Sequence, residues 1–330
     1  MPSRPAFEIG GRRVEAGRSE ELQLPIARLV TGTEMSLPVM VLHGVEPGPG
    51  LWLDAAIHGD EIGGVAVIQR VLGWLHPRRL RGTVLAVPIV NVHGFVTGDR
   101  YLPDRRDLNR AFPGSARGSL AARIAHLLMS EVVARCAYGI DLHTGSDHRF
   151  NLPQIRADLD DPRTRELAVA FGAPVMIHSR TRDGSLREAA SAAGATVLLY
   201  EGGEAWRFDE EAIGIGAQGV LRVLASLGMV DVSEDGRAPV PVESRRSRWV
   251  RAPVSGIVDL AVGLGEAVEV RQQLAAVTDS FGRRLGRLRS PFTGLVIGRS
   301  EHPLVNRGDA VLHIAETSPT QPGDGVTRRK

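Results

Sequence analysis

Between residues 51 and 227 the chain alternates short apolar runs with amphipathic segments, and this alternation restricts the fold more than any other feature. The runs at residues 51–57, 83–90, 138–142, 174–177 and 196–200 have the length and apolar content of buried strands. Helix-like segments occupy residues 63–75, 119–136, 164–171, 186–193 and 210–227. Strands alternating with helices build βαβ units. An α/β fold is therefore expected, with a mostly parallel or mixed sheet flanked by helices. Residues 1–50 read as a strand-rich and turn-rich part of the same domain, with a strong turn at Pro47-Gly48-Pro49-Gly50.

The domain so defined spans residues 1–230. Residues 231–248 are polar and charged, carry Pro239 and Pro241, and read as a linker. Beyond them come short glycine-rich strands in which one segment is repeated. Ala252-Pro253-Val254-Ser255-Gly256-Ile257-Val258 resembles Ser290-Pro291-Phe292-Thr293-Gly294-Leu295-Val296, and each is followed by a Gly-and-Val turn, at residues 263–268 and 304–311. Two half-units offset by about 38 residues imply a small quasi-twofold all-β domain over residues 249–316. It resembles the biotinyl/lipoyl barrel-sandwich fold, in which carriers attach their cofactor to a hairpin lysine. This segment has no lysine, so a carrier role is excluded and a structural or oligomerisation role is expected. Residues 317–330 read as a flexible tail.

Composition narrows the chemistry. Lys330 is the only lysine, which excludes a Schiff-base lysine inside the fold and a Walker A loop. Cys136 is the only cysteine, so neither an internal disulfide nor a Cys-based metal site can form. The formal net charge is +2 and the arginines are dispersed, so no nucleic-acid partner is expected. No run approaches the roughly 20 apolar residues of a membrane span. Met1-Pro2-Ser3-Arg4-Pro5 leads into polar sequence without an apolar stretch, so a cytoplasmic setting is expected.

Four motifs carry candidate chemistry. In the first, His58-Gly59-Asp60-Glu61, an imidazole and a carboxylate three residues apart follow a strand, a spacing that lets both reach one cation. The second, Tyr138-Gly139-Ile140-Asp141-Leu142-His143, ends a strand on a second imidazole. Two imidazoles and one carboxylate suit a catalytic zinc with an open position. Asp141, two residues before His143 on the same side of the strand, is placed to orient that imidazole. The third, residues 100–114, is rich in Arg and Asn and offers donors for a carboxylate. The fourth, Leu199-Tyr200-Glu201-Gly202-Gly203, places a carboxylate at a strand end, where it can act as a general base. His58, His143 and Glu201 are each expected just past a strand C-terminus, where ligands bind in such sheets.

Taken together, His58-Gly59-Asp60-Glu61, Asp107-Leu108-Asn109-Arg110 and Asp141-Leu142-His143-Thr144-Gly145 resemble the signatures of the succinylglutamate desuccinylase/aspartoacylase family, within the zinc carboxypeptidase superfamily. The resemblance implies a zinc carboxypeptidase-like catalytic domain with one Zn2+ per subunit, held by His58, Glu61 and His143. It implies Glu201 as general base and acid, and Asn109 and Arg110 as binders of the substrate carboxylate. An upstream arginine would polarise the scissile carbonyl; Arg100 fits the family's Arg-Tyr pattern, while Arg105 and Arg106 lie nearer to Asn109 in sequence. The donor-rich loop at residues 147–156 resembles that of members acting on acylated diamino acids, with Arg149, Asn151 and Arg156 as candidate pocket residues. The implied activity is hydrolysis of the amide bond of a small N-acyl amino acid. Alternatives are a metallocarboxypeptidase acting on short peptides and a zinc-binding protein without turnover. The acyl group, the amino acid and homo-oligomerisation stay open.

Overall fold

The computed structural model describes residues 4–146, 148–231 and 239–317. The start of the chain, Asp147, residues 232–238 of the expected linker and the tail from 318 onward lie outside the described residues; the linker's last residues enter strands at Val242–Ser244 and Ser247–Arg251. The chain divides into two compact units between Pro241 and Val242.

The first unit contains strands β1 (Phe7–Ile9), β2 (Arg12–Val14), β3 (Arg18–Arg28), β4 (Glu34–His43), β5 (Glu46–Ala55), β6 (Arg81–Val87), β7 (Tyr138–Gly145), β8 (Arg149–Ala157), β9 (Val175–His178) and β10 (Thr196–Glu204). Its helices are α1 (Gly63–Trp74), α2 (Val92–Thr97), α3 (Leu120–Glu131), α4 (Pro162–Phe171), α5 (Leu186–Ala192) and α6 (Glu210–Ser226). Strands β10, β7, β5 and β6 are neighbours in that order and run parallel. Antiparallel β4 and β3 extend the sheet past β6. Antiparallel β8, with β9 parallel to it, extends the sheet past β10. The sheet is thus mixed, and its parallel centre comes from the βαβ alternation of the sequence. Ser119, Asp161, Ser185 and Asp209 accept backbone hydrogen bonds as N-caps of α3 to α6, which sets where each helix starts.

Side chains alternate across the strands, so the two sheet faces have separate cores. Leu51, Leu53, Leu142 and Leu198 pack with Ile68 of α1, Phe171 of α4 and Val220 of α6. Trp52, Leu85 and Val197 pack with Ile124 and Leu128 of α3 and Leu186 of α5. The second face also carries a polar stripe. Asp54 lies opposite Asp141, Asp141 opposite Leu199, and Leu199 opposite Arg156. One step further along the strands, His143 lies opposite Glu201, and Glu201 opposite Gln154. Residues opposite one another in register share a face. These polar groups therefore gather in one place inside an otherwise apolar layer.

Several local expectations change. His143 and Glu201 lie inside β7 and β10, not past them, because the pairing of the two strands continues through both residues. Residues 149–156 form β8, not a loop, since their backbone pairs with β10. Pro47–Gly50 belongs to β5; the turn residues are absorbed by a shift in its register with β6 between Glu46 and Gly50.

The strands of the second unit are β11 (Val242–Ser244), β12 (Ser247–Arg251), β13 (Gly256–Leu260), β14 (Ala267–Val268), β15 (Gln273–Thr278), β16 (Arg284–Arg289), β17 (Gly294–Ser300), β18 (Leu304–Val305) and β19 (Ala310–Glu316). Strands β12 to β19 pair antiparallel. Strands β13 and β17 start at the glycines that correspond in the repeat. Each pairs with the short strand of the other half, β13 with β18 and β17 with β14, as an internal twofold requires. Val268, Leu274, Val277, Leu312 and Ile314 are among its core residues.

The polar stripe rests on Trp52, which is fully buried and donates from Nε1 to Asp54 Oδ1 at 2.8 Å. Gly139 is its register partner, and a Cβ there would fall 2.1 Å from the indole. Gly139→Ala is expected to destabilise the protein by about 1–3 kcal/mol through overpacking. Thermal unfolding checks this, and an unchanged melting temperature contradicts it.

Candidate metal centre

β5 ends at Ala55, and the chain turns sharply into the first motif. Ala56 adopts a left-handed φ of 50°, a conformation uncommon outside glycine. The turn is anchored by Val90 N–H donating to Ala55 O at 3.0 Å and Asn91 N–H donating to Ala56 O at 2.9 Å. Gly59 passes so close to α2 that a Cβ would lie 2.0 Å from the Gly94 backbone. His58 and Glu61 are thereby turned back toward β7.

The side chains of His58, Glu61 and His143 are buried together. Glu61 Oε1 lies 2.8 Å from His58 Nδ1, and Oε2 lies 2.7 Å from His143 Nδ1. The two imidazole rings are tilted, with centroids 5.1 Å apart. Burial opposes the charge on Glu61, but the two imidazoles outweigh it and hold the carboxyl well below its ordinary range. Burial likewise opposes a charge on His143, and Asp141 and Glu61 reverse that effect and raise its pKa well above the usual imidazole value.

An outer ring of charges fixes these three. Asp141 Oδ1 lies 2.8 Å from His143 Nε2, as the strand spacing predicts. Asp107 Oδ1 lies 3.3 Å from His58 Nε2. Arg100 donates from Nη1 to Glu61 Oε1 at 2.9 Å and reaches Asp107 Oδ2 at 3.5 Å. The competing arginines point elsewhere: Arg106 contacts Asp104 and Ser119, and Arg105 is exposed.

Glu201 lies opposite His143 on the adjacent strand. Asn151 Nδ2 donates to its Oε2, and Arg156 Nε sits 3.2 Å from its Oε1. Asn151 and Arg156 are therefore engaged with Glu201. Asn109 is buried, and its Oδ1 accepts from Leu186 N–H at 2.9 Å, which leaves the amide NH2 as its donor. Arg110 is exposed and donates to the Asn109 carbonyl. Arg149 opens β8, two residues before Asn151.

The sequence reading leaves Asp107, Asp54, Gln154 and Arg187 without roles. Asp107 stands inside a quoted motif, and Asp54 is an acid within an apolar strand; both were visible signals. Arg187 had none, since it sits in an ordinary helical pattern. It is buried, with Nη2 on Ser179 Oγ and the Arg180 carbonyl and with Nη1 unpartnered among the described residues.

Two imidazole nitrogens and a carboxylate, mutually within 4.8 Å and shielded from water, are the donor set for a divalent metal with an open position. A model of the succinylglutamate desuccinylase/aspartoacylase catalytic domain matches residues 47–227. The chain belongs to this family. It is accordingly a hydrolase acting on amide bonds. An N-alpha-acetyl-L-2,4-diaminobutyric acid deacetylase of Halomonas elongata is 30% identical over 314 residues, covering 89% of this chain and 90% of the relative. The crystal structure of a succinylglutamate desuccinylase/aspartoacylase from Rhodobacter sphaeroides superposes with a TM-score of 0.80 at 27% identity, over 92% of this chain and 98% of that one. The product-bound ectoine utilization protein EutE (DoeB) of Ruegeria pomeroyi gives a TM-score of 0.83, over 96% and 99% of the two chains. At 23% identity it supports the fold alone. No helix among the described residues is long and apolar enough to cross a membrane.

Burial opposes ionisation of Asp107, but the His58 hydrogen bond and the charges of His58, Arg100 and Arg110 outweigh it and depress its pKa. A carboxylate with a folded-state pKa below its unfolded value of about 4 stabilises the fold at neutral pH, and loses that effect as pH falls through the folded value. In metal-free protein, the melting-temperature gap between wild type and Asp107→Asn is expected to be largest at neutral pH and to close on acidification. A gap that widens toward low pH contradicts the assignment.

Proposed function

We propose that this chain is a zinc-dependent deacylase of small N-acyl amino acids. The observation that carries the proposal is the register of β10 on β7. It puts Glu201 directly opposite His143, one member of the buried His58, Glu61 and His143 cluster, on the same face of the sheet. His58, Glu61 and His143 would hold the zinc. When bound, the ion supplies a Lewis acid that polarises the scissile carbonyl and makes water more acidic.

The remaining steps belong to the chain itself. Glu201 takes the proton of the attacking water and returns it to the leaving amine. Asn151 and Arg156 hold its two oxygens, so the carboxylate keeps one orientation through both transfers. Arg100 stands on the Glu61 side of the cluster, where its guanidinium meets the negative charge that develops on the carbonyl oxygen. Asn109 through its amide NH2, together with Arg110, receives the carboxylate of the amino acid. The Halomonas relative acts on N-acetylated diaminobutyrate, which makes acetylated diamino acids the first substrates to test.

Glu201→Gln is expected to retain one zinc per chain while kcat falls by about 10²–10⁴-fold, the usual contribution of general acid–base catalysis. Metal analysis and steady-state kinetics on N-acetyl-2,4-diaminobutyrate, N-acetylaspartate and N-succinylglutamate check this. Near-normal turnover by the variant contradicts the role of Glu201. Cleavage of short peptides, with none of the acyl amino acids turned over, contradicts the substrate class.

A further inference from the structure

Trp206 follows β10 and is placed against the usual preferences of its residue type. It is 57% exposed, so burial in the core does not account for it. Its backbone φ is 64°, a left-handed value that a bulky side chain rarely adopts. Backbone strain of this kind persists only where surrounding contacts enforce it. Trp206 N–H donates to Asp60 O at 2.9 Å, and the preceding Ala205 N–H donates to Gly145 O at 2.7 Å. The loop leaving β10 is thereby tied to the turn between His58 and Glu61 and to the end of β7. The six-membered ring of the indole lies against Gly98, where a Cβ would overlap its Cη2 and Cζ2 atoms. Gly98 caps the C-terminus of α2 with a left-handed φ of 71°, so both its backbone and the ring require glycine there.

The two contacts of Trp206 sit at opposite ends of one ion pair. Asp60 immediately precedes Glu61, and Gly98 lies two residues before Arg100. Arg100 Nη1 donates to Glu61 Oε1 at 2.9 Å. The backbone between Gly98 and Arg100 is pinned from beneath: Asp99 N–H donates to Gly94 O at 2.8 Å, and Arg100 O accepts from Asn91 Nδ2 at 3.3 Å. The indole covers Gly98 in the same stretch. An arginine side chain loses much rotamer freedom when it is held in one position, so a fixed backbone at its root lowers the cost of keeping it there. We propose that Trp206 is a positioning residue for Arg100. Its N–H holds the Glu61 side of the ion pair, and its ring, packed on Gly98, holds the Arg100 side. Trp206 acts through Arg100 and not on the substrate itself.

The role rests on the deacylase reading above, in which Arg100 meets the charge on the carbonyl oxygen, and two measurements separate them. Trp206→Ala removes the ring and keeps the N–H that serves Asp60; Trp206→Phe keeps an aromatic ring over Gly98. The first measurement is kcat, KM and zinc content for wild type, both variants, Arg100→Ala and the double variant Trp206→Ala with Arg100→Ala, on the three acyl amino acids named above. Trp206→Ala is expected to keep zinc and KM while kcat falls on the order of 10- to 100-fold, the cost of a small misplacement in a catalytic site. Trp206→Phe is expected to recover most of that loss. With Arg100 already replaced, Trp206→Ala is expected to lower kcat by less than about twofold more. A general loosening of β10, and with it of Glu201, would instead multiply with the Arg100 loss. Unchanged kcat, loss of zinc, a defect confined to KM, or losses that multiply in the double variant overturn the proposal. The second measurement needs no activity: the same cycle is run on melting temperatures of the metal-free proteins. Trp206→Ala is expected to lower the melting temperature less when Arg100 is already replaced, and equal lowering in both backgrounds overturns the proposal. A wild-type protein that hydrolyses none of the three substrates defeats the deacylase reading, and the melting cycle then decides the role of Trp206 alone. Should Trp206→Ala fail to fold, Trp206→Leu takes its place in both cycles with the same outcomes.

Discussion

Glu61 carries a negative charge where almost no water reaches it, and the centre of the molecule is arranged around that charge. Removing an ionised carboxylate from water carries an effective penalty of several kcal/mol even after relaxation, so such a group needs close and well-oriented partners. Glu61 has His58 on one oxygen, His143 on the other, and Arg100 against the first. Each partner is secured in turn by a carboxylate: Asp107 beside His58 and Arg100, and Asp141 beside His143. Charges of alternating sign thus extend outward from one buried acid. On the proposed reading, His58, Glu61 and His143 would hold a divalent cation, and the outer aspartates would then keep the imidazoles aimed at it.

The sheet makes this arrangement available. Parallel strands β5, β7 and β10 bring Asp54, Asp141, His143 and Glu201 onto one face, although they are drawn from widely separated parts of the chain. Antiparallel β8 adds Gln154 and Arg156 from the other side of β10. The ladder dictates these neighbours, so a one-residue slip would turn the whole set away to the opposite face. The apolar layer around Trp52 and helices α3 and α5 shields the Asp54, Asp141 and His143 end of the stripe from water, which strengthens the charge interactions there.

Much of this was legible in the sequence, for identifiable reasons. The βαβ alternation, and His58, Glu61 and His143 as candidate ligands, follow from residue type and spacing, whereas Arg100 was singled out only by the family's Arg-Tyr pattern. Strand limits were less legible. A hydrophobicity reading ends these strands at their last apolar residues, Leu142 and Tyr200, whereas β7 and β10 continue through His143 and Glu201 because the backbone pairing continues. β8 was hidden for the same reason: Asn151, Gln154 and Arg156 turn polar groups toward the site, and Pro153 imitates a loop. Asp107 and Asp54 went unassigned because their neighbours in the fold, His58 and Asp141, are distant in sequence and come close only in the folded chain.

The central claim is that His58, Glu61 and His143 hold a catalytic zinc. X-ray absorption at the zinc edge, on the zinc-loaded protein, tests it most directly. The predicted first shell contains nitrogen and oxygen alone, at about 2.0–2.2 Å, with two imidazoles, one of which disappears in His143→Ala. A spectrum that stays the same in His58→Ala, Glu61→Ala and His143→Ala would place the metal elsewhere and contradict the claim.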